Sequence, residues 1–182
     1  DPEGRPRLEP HDGRVSWYYD PLPTNCVASW VCAEGERKKR PRFPARSNLA
    51  VFYGTCSFNC LFCQNWHFRH KGHTPQLEDQ ESLLRSVQEH VACICYFGGD
   101  PSTQMEHSLR VSREALGRRG GEPLRICWET NGGMSRGLLR QAAEISIESG
   151  GCIKFDLKAW EEPLHIALTG STNRQTLDNF AW

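Results

Sequence analysis

Residues 53–66 read YGTCSFNCLFCQNW and place three cysteines, Cys56, Cys60 and Cys63, at offsets of four and three in one polar turn. A buried structural metal usually takes four protein ligands, so three thiols in one turn pose a choice. Either a fourth ligand lies elsewhere, or one coordination position is left open for chemistry. His67 would complete a closed C-x3-C-x2-C-x3-H zinc site. That spacing differs from the common zinc ribbons and fingers, which use two separated pairs. It differs equally from the C-x2-C-x2-C run of bacterial ferredoxins.

Outward from the turn, strand-like apolar runs recur at NLAVFY (48–53), ACICYF (92–97), LRICWE (124–129) and CIKFDL (152–157). Helical patterns lie between them. Leu83, Leu84, Val87 and Val91 share one face, as do Met105, Leu109, Ser112 and Leu116, and then Leu138, Leu139, Ala142 and Ile145. Near-continuous apolar strands separated by amphipathic helices predict a parallel sheet with right-handed crossovers. The segment EPLHIALTG and residues 172–181 continue the helical pattern. Gly120–Gly121 and Gly150–Gly151 follow helices, whereas Gly98–Gly99 and Gly132–Gly133 follow strands. Each strand is thus followed by an unusual polar segment: the cysteine turn, GGDPSTQ, TNGG and LKAW. In α/β proteins that edge of the sheet carries the chemistry.

The chain has 182 residues, of which 38% are apolar, enough for one large domain or part of a larger protein. Its opening on Asp1 rather than methionine predicts a fragment. Residues 1–47 are expected to be an irregular N-terminal extension, with GERKKRPRFPAR (35–46) a solvated basic loop, and residues 48–182 the core domain. Lysine plus arginine and aspartate plus glutamate each number 22, so no net charge points to nucleic acid. No stretch is long and apolar enough to span a bilayer or act as a signal peptide, which predicts a cytoplasmic protein without a membrane partner. Nine cysteines, an odd number without a secretory leader, favour metal or thiol chemistry over a disulfide framework. Cys93, Cys95, Cys127 and Cys152 lie on predicted strands and read as small buried hydrophobes. Cys26 and Cys32 lie in the extension, either as plain thiols or at a second metal. His67, His70 and His73 read as exposed side chains borne on a loop.

The C-x3-C-x2-C turn and the segments behind it resemble the radical S-adenosylmethionine (SAM) superfamily, from about residue 48 to the end. The resemblance implies that Cys56, Cys60 and Cys63 bind three irons of a [4Fe–4S] cluster, leaving the fourth iron to the amino and carboxylate groups of SAM. Three is then the number that leaves a position open. It further implies reductive cleavage of SAM to a 5′-deoxyadenosyl radical that abstracts hydrogen from a substrate. GGDP resembles the motif that binds the amino end of SAM and carries Gly98, Gly99, Asp100 and Pro101. Phe62 occupies an aromatic position that packs near adenine in the family, or is a plain core residue.

CWETNGG (127–133) and KFDLKAW (154–160) resemble the pyruvate formate-lyase activating enzyme branch. There the matching segments read D-T-N-G and D-L-K. The resemblance implies that Thr130, Asn131 and Lys158 support SAM, and that Glu129, Thr130 and Asp156 hold a monovalent cation beside it. Glu129 stands where that branch has aspartate. The implied partners are an electron donor such as flavodoxin or ferredoxin and a substrate that includes a protein glycine among the candidates. The fold expected is a partial (β/α) barrel of the radical SAM type, truncated after about four β/α units, with the fifth and sixth strands missing. Two alternatives stand beside the enzyme: a non-catalytic zinc or iron–sulfur binding module closed through His67, and a truncated fold acting as a partner protein.

Overall fold

Alternation along each strand decides which side chains meet the helices. In a computed structural model, which describes residues 12–32, 46–70, 77–121 and 123–182, the strands form one open six-stranded sheet. The order is β3-β1-β2-β4-β5-β6, with β1 at Asp12–Pro21, β2 at Ser47–Tyr53, β3 at Leu77–Asp79, β4 at Val91–Phe97, β5 at Arg125–Thr130 and β6 at Ile153–Phe155. The strands β2, β4, β5 and β6 run parallel, as expected, and fall within a residue of the predicted runs except that β6 covers only Ile153–Phe155 of the run 152–157. Residues 35–45 of the basic run, and His73, lie outside the described residues.

Among the described residues, five α-helices connect or follow the strands: α1 (Gln80–Arg85), α2 (Met105–Arg118), α3 (Arg136–Ser149), α4 (Glu162–Thr169) and α5 (Arg174–Ala181). Leu49, Val51, Tyr53, Ile94, Ile126 and Trp128 point to one side of the sheet and are fully buried. They pack with Met105, Leu109 and Ala115 of α2 and with Leu139, Ala142 and Ile145 of α3. Each large side chain buried this way contributes roughly 1.5–3 kcal/mol. Several polar groups in this layer are paired. The Trp128 indole donates to Ser108 Oγ across 3.0 Å, Ser112 donates to the Tyr96 hydroxyl, and the Tyr53 hydroxyl meets His107 Nδ1.

Two expectations need correction. Residues 12–21, expected to be irregular, form a ten-residue strand that pairs antiparallel with β2 and, at its outer edge, with β3. Its Val, Trp and Tyr residues suit a strand, and Pro21 stands at the end, where a missing donor costs least. Val91 belongs not to a helical face but to the start of β4. The helix before it ends at Arg85, and Val91 N–H closes a turn on the Gln88 carbonyl.

The face of the sheet opposite the helices carries Asn48, Phe52, Cys93, Cys95, Cys127 and Glu129. Cys93 donates to Asn48, and Cys95 lies against Glu129. Cys93, Cys95 and Cys127 are buried as expected, and Cys152 is half-buried.

Candidate active site at the carboxyl edge of the sheet

The four polar segments that follow β2, β4, β5 and β6 meet at the carboxyl edge of the parallel strands and surround a cavity of about 880 Å³. Cys56, Cys60 and Cys63 all line it, and Phe62 lies among them. From the second loop come Gly98, Gly99 and Asp100, from the third Glu129, Thr130 and Asn131, and from the last Asp156 and Lys158. Of the residues expected to hold the cluster, SAM or the cation, Pro101 alone stays off the lining; it is buried and opens the short 3-10 turn at Pro101–Gln104. Tyr18 of β1 and Asn25 of the following turn add a wall from the N-terminal segment, which the sequence reading assigned no role.

A buried carboxylate fastens the loops together. Asp100 is only 5% exposed, and it accepts from the N–H groups of Ser102 (2.8 Å) and Asn131 (2.6 Å) and from the Thr130 hydroxyl (3.0 Å). Burial raises its pKa, and these hydrogen bonds oppose the rise. Its own N–H donates to the Thr55 carbonyl, beside the cysteine turn. That approach explains Gly99: its φ is +53°, and a Cβ there would lie 1.9 Å from the Tyr53 carbonyl oxygen. Asn131 carries the connection onward. Its amide donates to Ser57 Oγ (2.8 Å) and lies 4.0 Å from Cys56 Sγ, while its Oδ1 accepts from Gly133 N–H.

The last two helices brace the same loops, a role that went unread in the sequence. Asn59 and Leu61 of the cysteine turn donate backbone N–H groups to the carbonyls of Thr169 and Leu168 at the end of α4. Thr176 donates to the Asn131 carbonyl, and Asn179 to the carbonyls of Gly132 and Met134. The spacing of Thr176 and Asn179 on one helical face was the available signal.

The charges differ from the expected arrangement. Glu129 pairs with Lys154 at 2.5 Å, and Asp156 pairs with Lys158. Lys154 also lines the cavity and lies 3.6 Å from Cys95 Sγ. The Thr130 hydroxyl is committed to Asp100. Each carboxylate thus has its own lysine as countercharge, and Lys158 is one of the two sources of positive charge, with a bound cation, that were expected for this pair of carboxylates. Lys154 was missed, although Lys154, Asp156 and Lys158 alternate in a way that places them on one side of an extended chain. Phe62 is 51% exposed and sits under the Lys158 ammonium, 5.7 Å from its ring centre, so it is not a core residue.

His67 stacks on Trp66 with ring centres 4.2 Å apart and is absent from the cavity lining. Among the described residues, no three His, Cys, Asp or Glu side chains form a group able to hold a single metal ion. Burial raises the Cys56 thiol to about 11 and also raises Cys60, whose rise Lys158 opposes. Metal loading must therefore displace protons from these thiols.

The family model described as the radical SAM superfamily matches residues 50–182. The chain belongs to the radical SAM superfamily. Among curated proteins, none matches it. Superfamily members are enzymes that cleave SAM with an iron–sulfur cluster, and the open sheet is a partial version of the radical SAM β/α fold. The donor set of this radical SAM chain fits that cofactor: three soft thiols from one turn face one cavity, and the nearby histidine is turned away. Among the described residues, no helix is long and apolar enough to cross a membrane.

Proposed function

We propose that this radical SAM chain is an activating-enzyme-like member that prepares a hydrogen-abstracting radical, with a protein glycine as the hydrogen donor. The observation that carries the reading is the meeting of the cysteine turn, the GGDP loop, the TNGG loop and the DLK segment around one cavity. When bound, the cluster supplies the electron that breaks the sulfonium bond of SAM, releasing methionine and a 5′-deoxyadenosyl radical.

The chain's own residues would bind and orient. Cys56, Cys60 and Cys63 would hold the cluster as thiolates, with the fourth iron left free for SAM. The GGDP loop, kept in shape by Asp100, presents backbone groups to the amino end of SAM. Thr130 and Asn131 fix the neighbouring loop, and Lys158 stands ready for the SAM carboxylate from its place over Phe62. Lys154 and Lys158 balance Glu129 and Asp156, so this arrangement needs no monovalent cation for charge. Exposed Leu61 and Trp66 flank the cysteine turn and offer apolar contact to a small one-electron donor of the flavodoxin or ferredoxin class.

Anaerobic reconstitution with iron and sulfide, followed by electron paramagnetic resonance with and without SAM, tests the proposal. A reduced-cluster spectrum that shifts on adding SAM is expected, together with 5′-deoxyadenosine production after reduction. A colourless protein with one tightly bound zinc would overturn it. Hydrogen transfer from a glycine-labelled protein substrate into 5′-deoxyadenosine would identify the donor.

A further inference from the structure

Two cysteines outside the cavity face each other at the edge of the sheet. Cys127 of β5 and Cys152, the residue before β6, hold their sulfurs 3.9 Å apart, and both are free thiols. Trp128 pairs with Ile153 in the parallel ladder, and Trp128 N–H donates to the Cys152 carbonyl across 3.0 Å. The two cysteines are therefore side by side, one residue before that pair. Adjacent strands run about 4.8 Å apart, inside the range of about 4.4–6.8 Å between Cα atoms that a disulfide spans. Side-chain rotation can bring the sulfurs to the bond length of about 2.05 Å. Cys95 is the register partner of Cys127 on the other side, but its sulfur is turned to Lys154 and Glu129, 3.6 Å from each. Cys152 is half-buried and Cys127 is 8% exposed, so one thiol meets solvent and the other waits behind it.

We propose that Cys127 and Cys152 form a reversible disulfide by exchange with a low-molecular-weight disulfide such as glutathione disulfide. The Cys152 thiolate attacks one sulfur of that disulfide and releases one glutathione thiolate, which takes up the proton lost by Cys152. Cys127 then attacks Cys152 Sγ, loses its proton and expels the second glutathione. Two protein thiols are oxidised by two electrons in total, and one disulfide is reduced to two thiols. The bond clamps the edge strand β6 to β5, two residues before Glu129 and Lys154. It therefore fixes the strand that carries the Lys154, Asp156 and Lys158 side of the cavity.

Peptide mapping of the full chain, oxidised with glutathione disulfide, alkylated and cut with trypsin, tests the proposal directly. Cys127 falls on the fragment 126–136 and Cys152 on the fragment 141–154, each with a single cysteine. The two are expected to be joined in one species, lighter by two hydrogens than their sum and separated by dithiothreitol. In Cys152→Ser the joined species should vanish, with Cys127 recovered as an alkylated thiol. The same mapping on Cys127→Ser should trap Cys152 as its glutathione adduct. Recovery of both cysteines as thiols in the oxidised wild-type chain overturns the proposal. So does a stable glutathione adduct on Cys152 beside alkylated Cys127, or a bond from Cys152 to any other cysteine.

Discussion

The backbone N–H of Asn131 donates to the carboxylate of Asp100 across 2.6 Å and ties the loop after β5 to the loop after β4. Two further donors, Ser102 N–H and the Thr130 hydroxyl, converge on the same buried group. Asp100→Ala would leave these donors buried and unpaired. Hydrogen bonds to charged acceptors are worth about 1.5–3 kcal/mol each, so a loss of about 3 kcal/mol or more is expected. Urea unfolding should show it as a lower midpoint, and Asp100→Asn, which keeps an acceptor oxygen, should lose less. An Asp100→Ala chain as stable as the parent would show that this carboxylate does not hold the loops.

Cys56→Ala, Cys60→Ala and Cys63→Ala should each lose cluster iron and SAM cleavage together, because these three thiols are proposed to supply all the cluster's protein ligands. His67→Ala should keep full iron content, since His67 stacks on Trp66 outside the cavity lining. Iron and sulfide assays on the reconstituted variants decide the matter. Full iron in Cys60→Ala, or its loss in His67→Ala, would contradict the ligand assignment.

Two glycines should respond in opposite ways to the same methyl group. Gly99→Ala meets the Tyr53 carbonyl at 1.9 Å and the Thr55 carbonyl at 2.5 Å, both backbone atoms that cannot swing aside. It should destabilise the chain by several times the roughly 1 kcal/mol typical of a point substitution. Gly117 lies within α2, and nothing stands within 4 Å of a Cβ there. Gly117→Ala should raise stability by up to about 1 kcal/mol through helix propensity. Thermal unfolding of the two proteins gives the comparison.

His107 makes stability depend on acid. Burial lowers its pKa to about 4, and Arg110 adds to the effect. The unfolded chain takes up this proton more readily than the folded one. Stability is therefore fully present above the ordinary histidine pKa of about 6.5 and is lost as pH falls from there towards 4, by roughly 3 kcal/mol in all. In His107→Asn this part of the pH profile should flatten, whatever the variant's absolute stability. An unchanged slope between those pH values would remove His107 as its source.

Lys154→Met should strand the Glu129 carboxylate beside Cys95. Glu129 keeps some solvent contact, with its side chain 29% exposed, so the cost should be about 1–2 kcal/mol rather than the larger value of a fully buried pair. Titration calorimetry should show weaker SAM binding with cluster iron intact. Adding Glu129→Gln should recover part of the lost stability, because no unpaired charge then remains. No recovery in the double variant would mean that the lysine acts alone.

The cysteine turn, the four parallel strands and the polar segment behind each could be read from residues 48–182, because their signals are local. Thiol spacing is set within one turn, apolar runs mark strands buried on both faces, and glycine pairs mark strand ends. The length of α1 was less legible, since Leu83, Leu84, Val87 and Val91 fit a helical face that the chain abandons at Arg85. Strand β1 escaped notice because it is made by pairing: Val15 to Pro21 lie opposite Tyr53 to Ser47, across a long stretch of chain.

Local signals in the chain locate the soft thiols, the four parallel strands and the edge at which the polar segments gather. What each charged or polar group touches follows from strand register and packing. Glu129 meets Lys154 because β5 and β6 pair in that register, and Asp100 meets Asn131 because two loops far apart in sequence leave adjacent strands side by side. Thr176 and Asn179 reach the loop after β5 only once the last helix has packed there. Periodicity and turn chemistry act over a few residues, whereas ion pairs and buried hydrogen bonds depend on register and packing that the whole sheet must first establish.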